Sequence, residues 1–130
     1  MRIKIGDFGL AKLAGSDPGV LVANGGARSR YFSGEMGIPI KGDSSESRFA
    51  VDLWAFGCIT HELLTQAALF PTWQEWHSYV RGGEFPRNAL CSKYISQEGI
   101  KFVESTLALL PENRITAKQA LDSEWLRVFP

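Results

Sequence analysis

The sequence predicts a mainly α-helical fold, one buried central helix surrounded by shorter ones, and three observations carry that prediction. The stretch Asp52 to Leu64, DLWAFGCITHELL, distributes Leu53, Trp54, Phe56, Ile59, Leu63 and Leu64 around nearly every face of a helix, which is the pattern of a buried one. Thr72 with Glu75, and Thr116 with Gln119, each place a hydroxyl three residues ahead of a side chain that can reach back to it, so each pair forms a capping box and starts a helix. Behind Ser96, finally, Ile100, Val103, Leu107 and Leu110 recur with a helical period.

The central helix is expected over 47–66, closed by Thr65 and Gln66. Its apolar stretch is too short, and with Asp52, His61 and Glu62 too polar, to cross a bilayer, which asks for about 20 apolar residues. The helix that Thr72 caps runs to Arg81, puts Trp73, Trp76 and Val80 on one face and stops at Gly82 and Gly83. FPRNALCSKY reads as a loop; Ser96 then caps the next helix, with Ile95 and Ile100 at hydrophobic-staple positions and Pro111 as its end. From Thr116 a short helix runs through Leu121 and leads to Trp125 and Leu126.

Before the central helix the order is different. Ile3 and Ile5 alternate with Arg2 and Lys4, the pattern of a short half-buried strand. Gly6 and Gly9 bracket Asp7 and Phe8, leaving the carboxylate able to face a cation, although a turn aspartate is the simpler reading. Ala14 to Gly34 is a long Gly, Ser, Asp, Asn and Pro loop; Ser16, Ser29 and Tyr31 are phosphorylation candidates there, with ordinary surface hydroxyls the favoured alternative. A second irregular stretch, Gly37 to Ser47, leads into the central helix.

Composition narrows the function classes. The 130 residues suit one domain, and 14 basic against 14 acidic side chains leave no footprint for nucleic acid or an anionic membrane. Cys58 and Cys91 make neither a metal-ligand spacing nor a disulfide framework and are read as reduced thiols. MRIKIGDFGL has no apolar run of signal-peptide length, so an intracellular setting, cytoplasmic or nuclear, is expected.

Taken in order, IKIGDFGLAK, DLWAFGCITHELLTQAALF and LALLPENRITAKQALDSEWL resemble the C-terminal lobe of a eukaryotic protein kinase, with wording closer to the serine/threonine than to the tyrosine type. The resemblance covers nearly the whole chain as one partial kinase domain: a metal-binding and activation-type segment at 1–35, the central helix at 47–66 and closing helices at 72–130. It implies that Asp7, Phe8 and Gly9 are the Asp-Phe-Gly segment, with Asp7 a magnesium ligand beside ATP and Phe8 the aromatic whose packing sets active and inactive states. Tyr31-Phe32-Ser33-Gly34-Glu35 best matches the Ala-Pro-Glu segment; a register on Pro39 would put Ile40 in place of the glutamate. In the preferred register the resemblance implies a buried ion pair between Glu35 and Arg114. It also makes Asp52 the aspartate that opens the central helix and holds the catalytic-loop backbone, a place where the helix dipole alone could favour a carboxylate. Trp54 and Gly57 complete the structural residues carried over from the family.

Phosphoryl transfer in this family also needs a Gly-rich loop, a strand lysine with its helix glutamate, and a catalytic-loop aspartate and asparagine, all ahead of Asp-Phe-Gly. Only Met1 to Gly6 precede Asp7, and Ala27 and Arg28 replace the Gly-Thr that opens the segment before the tyrosine. The expectation is therefore the C-terminal part of a serine/threonine kinase, incompetent in isolation, with ATP and magnesium implied by the family and doubtful for this chain alone. Its alternative is a non-catalytic interaction module, a pseudokinase remnant, binding a protein through the Trp73 and Trp76 helix. Faces of the central helix that the family covers with an upstream helix are expected to be exposed here and to favour self-association.

Overall fold

The computed structural model describes residues 4–6, 8, 31, 33 and 45–127. In chain order these form α1 (Ser45–Thr65), α2 (Trp73–Val80), α3 (Asn88–Ser92), α4 (Gln97–Thr106), a 3-10 turn (Pro111–Asn113), α5 (Ala117–Leu121) and α6 (Glu124–Arg127). The mainly helical class is as the sequence predicts. No strand occurs among the described residues: Lys4 to Gly6 are irregular and Ile5 is exposed, while Met1 to Ile3 of the expected strand lie outside them.

α1 is the axis. One of its sides, Ala50, Trp54, Gly57, Cys58, His61 and Thr65, is buried against α4, α3 and the 3-10 turn. The all-round burial that its composition suggests does not occur: Phe49, Phe56, Ile59 and Leu63 are exposed on the other side. Asp52 is corrected as well. The helix starts at Ser45, so Asp52 lies well inside it, exposed, where the N-terminal dipole does not act.

Gly57 is where α1 and α4 meet most closely. A Cβ there would lie 2.1 Å from the Thr106 hydroxyl oxygen and 2.9 Å from Leu107 Cγ, so the contact requires a residue without a side chain. Beside it Trp54 stacks on Phe70 at 6.3 Å and tilts against Tyr79 at 6.0 Å, with Phe70 and Tyr79 themselves 5.5 Å apart. The Tyr79 hydroxyl donates to the Leu107 carbonyl at 2.8 Å, so the polar end of this aromatic cluster is satisfied inside the core.

Both capping boxes form. Thr72 accepts from Glu75 N while the Glu75 carboxylate accepts from Thr72 N, and Thr116 with Gln119 repeats the arrangement at α5. Ser96 caps α4 by accepting from Gly99 N. α2 ends through Gly82, whose φ of +95° is readily adopted only without a Cβ.

Two boundaries differ from expectation. FPRNALCSKY contains α3, whose capping residue Arg87 makes no side-chain cap bond; its fully buried Leu90 holds it in place instead. α4 stops at Thr106 rather than running to Pro111, and Leu110 is exposed. Past the helix end, the carbonyls of Ala108 and Leu109 accept hydrogen bonds from Arg114. Pro111 accordingly opens the 3-10 turn instead of closing α4.

The Gly57 contact generates a prediction. Gly57→Ala forces α1 away from α4 and should cost about 2–3 kcal/mol or more, as overpacking does. Gly82→Ala, with open space but strained φ, should cost about 1 kcal/mol. Denaturant melts of the two variants check the order.

Candidate functional site

Asp7, Gly9 and Glu35 lie outside the described residues; Phe8, between the first two, has its side chain 68% exposed. The described site residues converge instead on Arg114. It is 5% exposed, enters from the end of the 3-10 turn, and spreads its guanidinium over three carbonyls. Nε donates to Ala108 O at 2.7 Å, one terminal nitrogen to Ala50 O at 3.0 Å and the other to Leu109 O at 3.1 Å. The guanidinium carbon lies 5.1 Å from the Trp54 ring centroid. A planar fork that is always charged can bond several acceptors and rest on an aromatic face at once; lysine, a point charge on a flexible stem, cannot.

Trp54 and Gly57 therefore stand in one buried unit with Arg114, and Asp52 stands outside it on the exposed side of α1. Further along α1, the Tyr31 hydroxyl donates to Glu62 Oε2 at 2.5 Å, tying a residue of the activation-type segment to the helix across 31 positions. Ser33, two residues on, is also buried. The sequence marks Tyr31 as a hydroxyl and as part of a motif, but nothing in it pairs Tyr31 with Glu62.

His61 is the titratable residue that sequence reasoning passed over. It is buried on α1, with Nδ1 3.2 Å from the Ala67 carbonyl. A carbonyl only accepts, so that geometry assigns the proton to Nδ1 and leaves Nε2 an acceptor with no partner among the described residues. Burial is the largest influence and lowers the imidazole below its ordinary range, against the opposing pull of the Ala67 bond and the Glu62 charge. Cys58, one turn earlier, is pushed up to about 12, chiefly by burial, which makes it an inert thiol rather than a nucleophile.

Asp7, which the resemblance makes the magnesium ligand, lies outside the described residues. No group of three His, Cys, Asp or Glu among them could hold a metal ion. A groove between α2 and the chain on either side of it is lined by Leu69, Phe70, Glu75, Tyr79 and Glu84, and two carboxylates repel phosphates. Nor is any helix among the described residues long and apolar enough to cross a membrane. Trp73 and Trp76 stack at 4.3 Å along α2, the first exposed and the second half-buried.

A helical body arranged around α1, with a carbonyl-bonded arginine closing it, is the C-terminal lobe of a protein kinase. The chain belongs to the protein kinase domain family, which matches residues 1–126, and within it to the serine/threonine kinases. It is 30% identical over 138 residues to the serine/threonine-protein kinase RAD53 of Saccharomyces cerevisiae, covering 98% of this chain and 17% of that protein. The crystal structure of the Rad53 kinase domain and SCD2 superimposes with a TM-score of 0.73 at 28% identity, covering 98% of this chain and 41% of that one. The same kinase domain and SCD2 in complex with AMPPNP gives 0.63 at 29% identity, covering 75% and 38%. The chain thus spans well under half the length of the relatives it matches.

Two predictions follow from this geometry. Arg114→Ala removes the donor to three carbonyls and should cost about 3 kcal/mol or more, since each buried acceptor left unmade costs about 1–3 kcal/mol. Lys118→Ala, at an exposed site, should stay within about 0.5 kcal/mol, and urea melts compare the two. For His61, the unfolded chain takes up a proton near 6.5 while the folded chain resists it to lower pH. The folded state is therefore favoured in full above about pH 7 and progressively less as pH falls through 6.5. His61→Asn should flatten the pH dependence of the melting temperature between 7.5 and 5.5 without abolishing folding.

Proposed function

We propose that the chain acts as the C-terminal lobe of an ATP-dependent serine/threonine protein kinase and does not transfer phosphate on its own. The observation that carries this reading is its match along 98% of its length to 41% of the Rad53 kinase domain chain. Within it, Asp7 would ligate magnesium at the nucleotide phosphates, as the Asp-Phe-Gly motif implies, with Phe8 and Gly9 completing that segment. The AMPPNP complex of Rad53 supports nucleotide use by that relative and, through the shared family, by a complete version of this domain.

Glu35 is proposed as the ionic partner of Arg114. The burial of Arg114 supports the pairing, because a buried guanidinium is held best when a carboxylate joins its carbonyl acceptors. Asp52, with Trp54 and Gly57, would complete the scaffold beneath the catalytic loop, and its exposure on α1 leaves it available to do so. A protein substrate or partner would meet the stacked Trp73 and Trp76 on α2, in an intracellular setting that keeps Cys91 reduced. The exposed apolar side of α1 is where self-association would occur.

Calorimetric titration of the purified chain with magnesium and ATP tests the central statement. The expected result is no saturation below about millimolar nucleotide. Micromolar binding that disappears in Asp7→Ala would overturn the view that the isolated lobe is incompetent.

A further inference from the structure

The groove beside α2 has a volume of about 180 Å³. Leu69, Phe70 and the Tyr79 ring, all buried side chains, make its floor, and its rim carries Pro86 and two exposed carboxylates, Glu75 and Glu84. Small-molecule pockets run to about 300–1,000 Å³, so this volume suits one long side chain rather than a whole cofactor.

The walls are fixed before anything enters. Phe70 stacks on Tyr79 at 5.5 Å, and the Tyr79 hydroxyl is held by the Leu107 carbonyl. Gly83 N donates to the Ser78 carbonyl at 3.0 Å, and a Cβ on Gly83 would lie 2.8 Å from that same oxygen, so the chain carrying Glu84 turns back tightly onto α2. Glu75 is set by its capping box: Oε2 accepts from both the N–H and the hydroxyl of Thr72, at 2.8 Å each. Its Oε1, and the whole Glu84 carboxylate, have no hydrogen-bond or ion-pair partner among the described residues. Of the two arginines flanking this turn, Arg87 pairs with Glu104 at 2.6 Å, and Arg81 does not line the groove.

We infer that this groove takes an arginine side chain presented by another protein. Apolar floor and anionic rim divide as that side chain does, with the methylene stem against Leu69, Phe70 and Pro86 and the guanidinium at the carboxylates. Arginine suits the groove better than lysine, because its fork bonds two carboxylates at once and its weakly hydrated plane rests on aromatic surface. A neutral apolar side chain would cover the floor but strip water from two carboxylates without replacing it. An acidic one would meet like charge. Glu75, Ser78 and Tyr79 lie on a different side of α2 from Trp73 and Trp76, so the groove is a contact separate from the stacked indoles. The inference goes beyond the kinase reading and does not rest on it: nucleotide titration tests one and peptide titration the other.

The test is an NMR titration of the isotope-labelled full chain with the peptide acetyl-Gly-Leu-Arg-Leu-Gly-amide. The expected result is saturable shifts at Ser78, Tyr79 and Glu84 with a dissociation constant of about 0.1–1 mM. Binding should weaken about threefold or more between ~50 and ~500 mM salt. The same peptide with norleucine in place of arginine should bind about tenfold more weakly. Glu75→Gln keeps the capping box, since Gln119 makes the same bonds at α5, and Glu84→Gln changes an exposed side chain. Each should weaken the arginine peptide about threefold and the double variant about tenfold, with the folded spectrum intact. No saturation by about 5 mM peptide, equal affinity for the norleucine peptide, undiminished binding by the double variant, or shifts confined to residues outside the groove would each overturn the inference.

Discussion

The fan of hydrogen bonds from Arg114 to the carbonyls of Ala50, Ala108 and Leu109 is the constraint on which the rest of the lobe depends. It joins the first half of α1 to the segment after α4. Trp54 lies under the same guanidinium, so the fork and the aromatic cluster of Phe70 and Tyr79 stabilise one another.

The division between local and tertiary causes decides what could be read in the sequence. Thr72, Ser96 and Thr116 announce their helices because a capping side chain and its target lie within three residues of each other. α3 is silent because its cause is the burial of Leu90, a contact with residues far along the chain. The end of α4 is misread because Leu110 keeps the apolar period, although it is exposed beyond the helix end. Of the site, Trp54, Gly57 and Arg114 are legible through their motifs, whereas the buried state of His61 and the Tyr31 bond to Glu62 depend on distances that no spacing rule encodes.

α1 illustrates how composition and burial part company. Its apolar residues encircle the helix, yet the described elements cover one side. Where they do, the fit is close enough to exclude a methyl group at Gly57; where they do not, phenyl and aliphatic groups meet water. Such a helix is specified by contacts on one side and leaves apolar groups in water on the other.

The bond from Arg114 to Ala50 spans 64 residues of sequence, and that separation has a consequence for biosynthesis. At about 5–20 residues per second, a ribosome that has finished α1 works for roughly two and a half to ten seconds before Arg114 exists. Throughout that interval Trp54 has no guanidinium above it, and the surface that later receives α4 is open. Exposed apolar surface on the nascent chain is thus concentrated in a defined window, opening when α1 is made and closing when the arginine arrives.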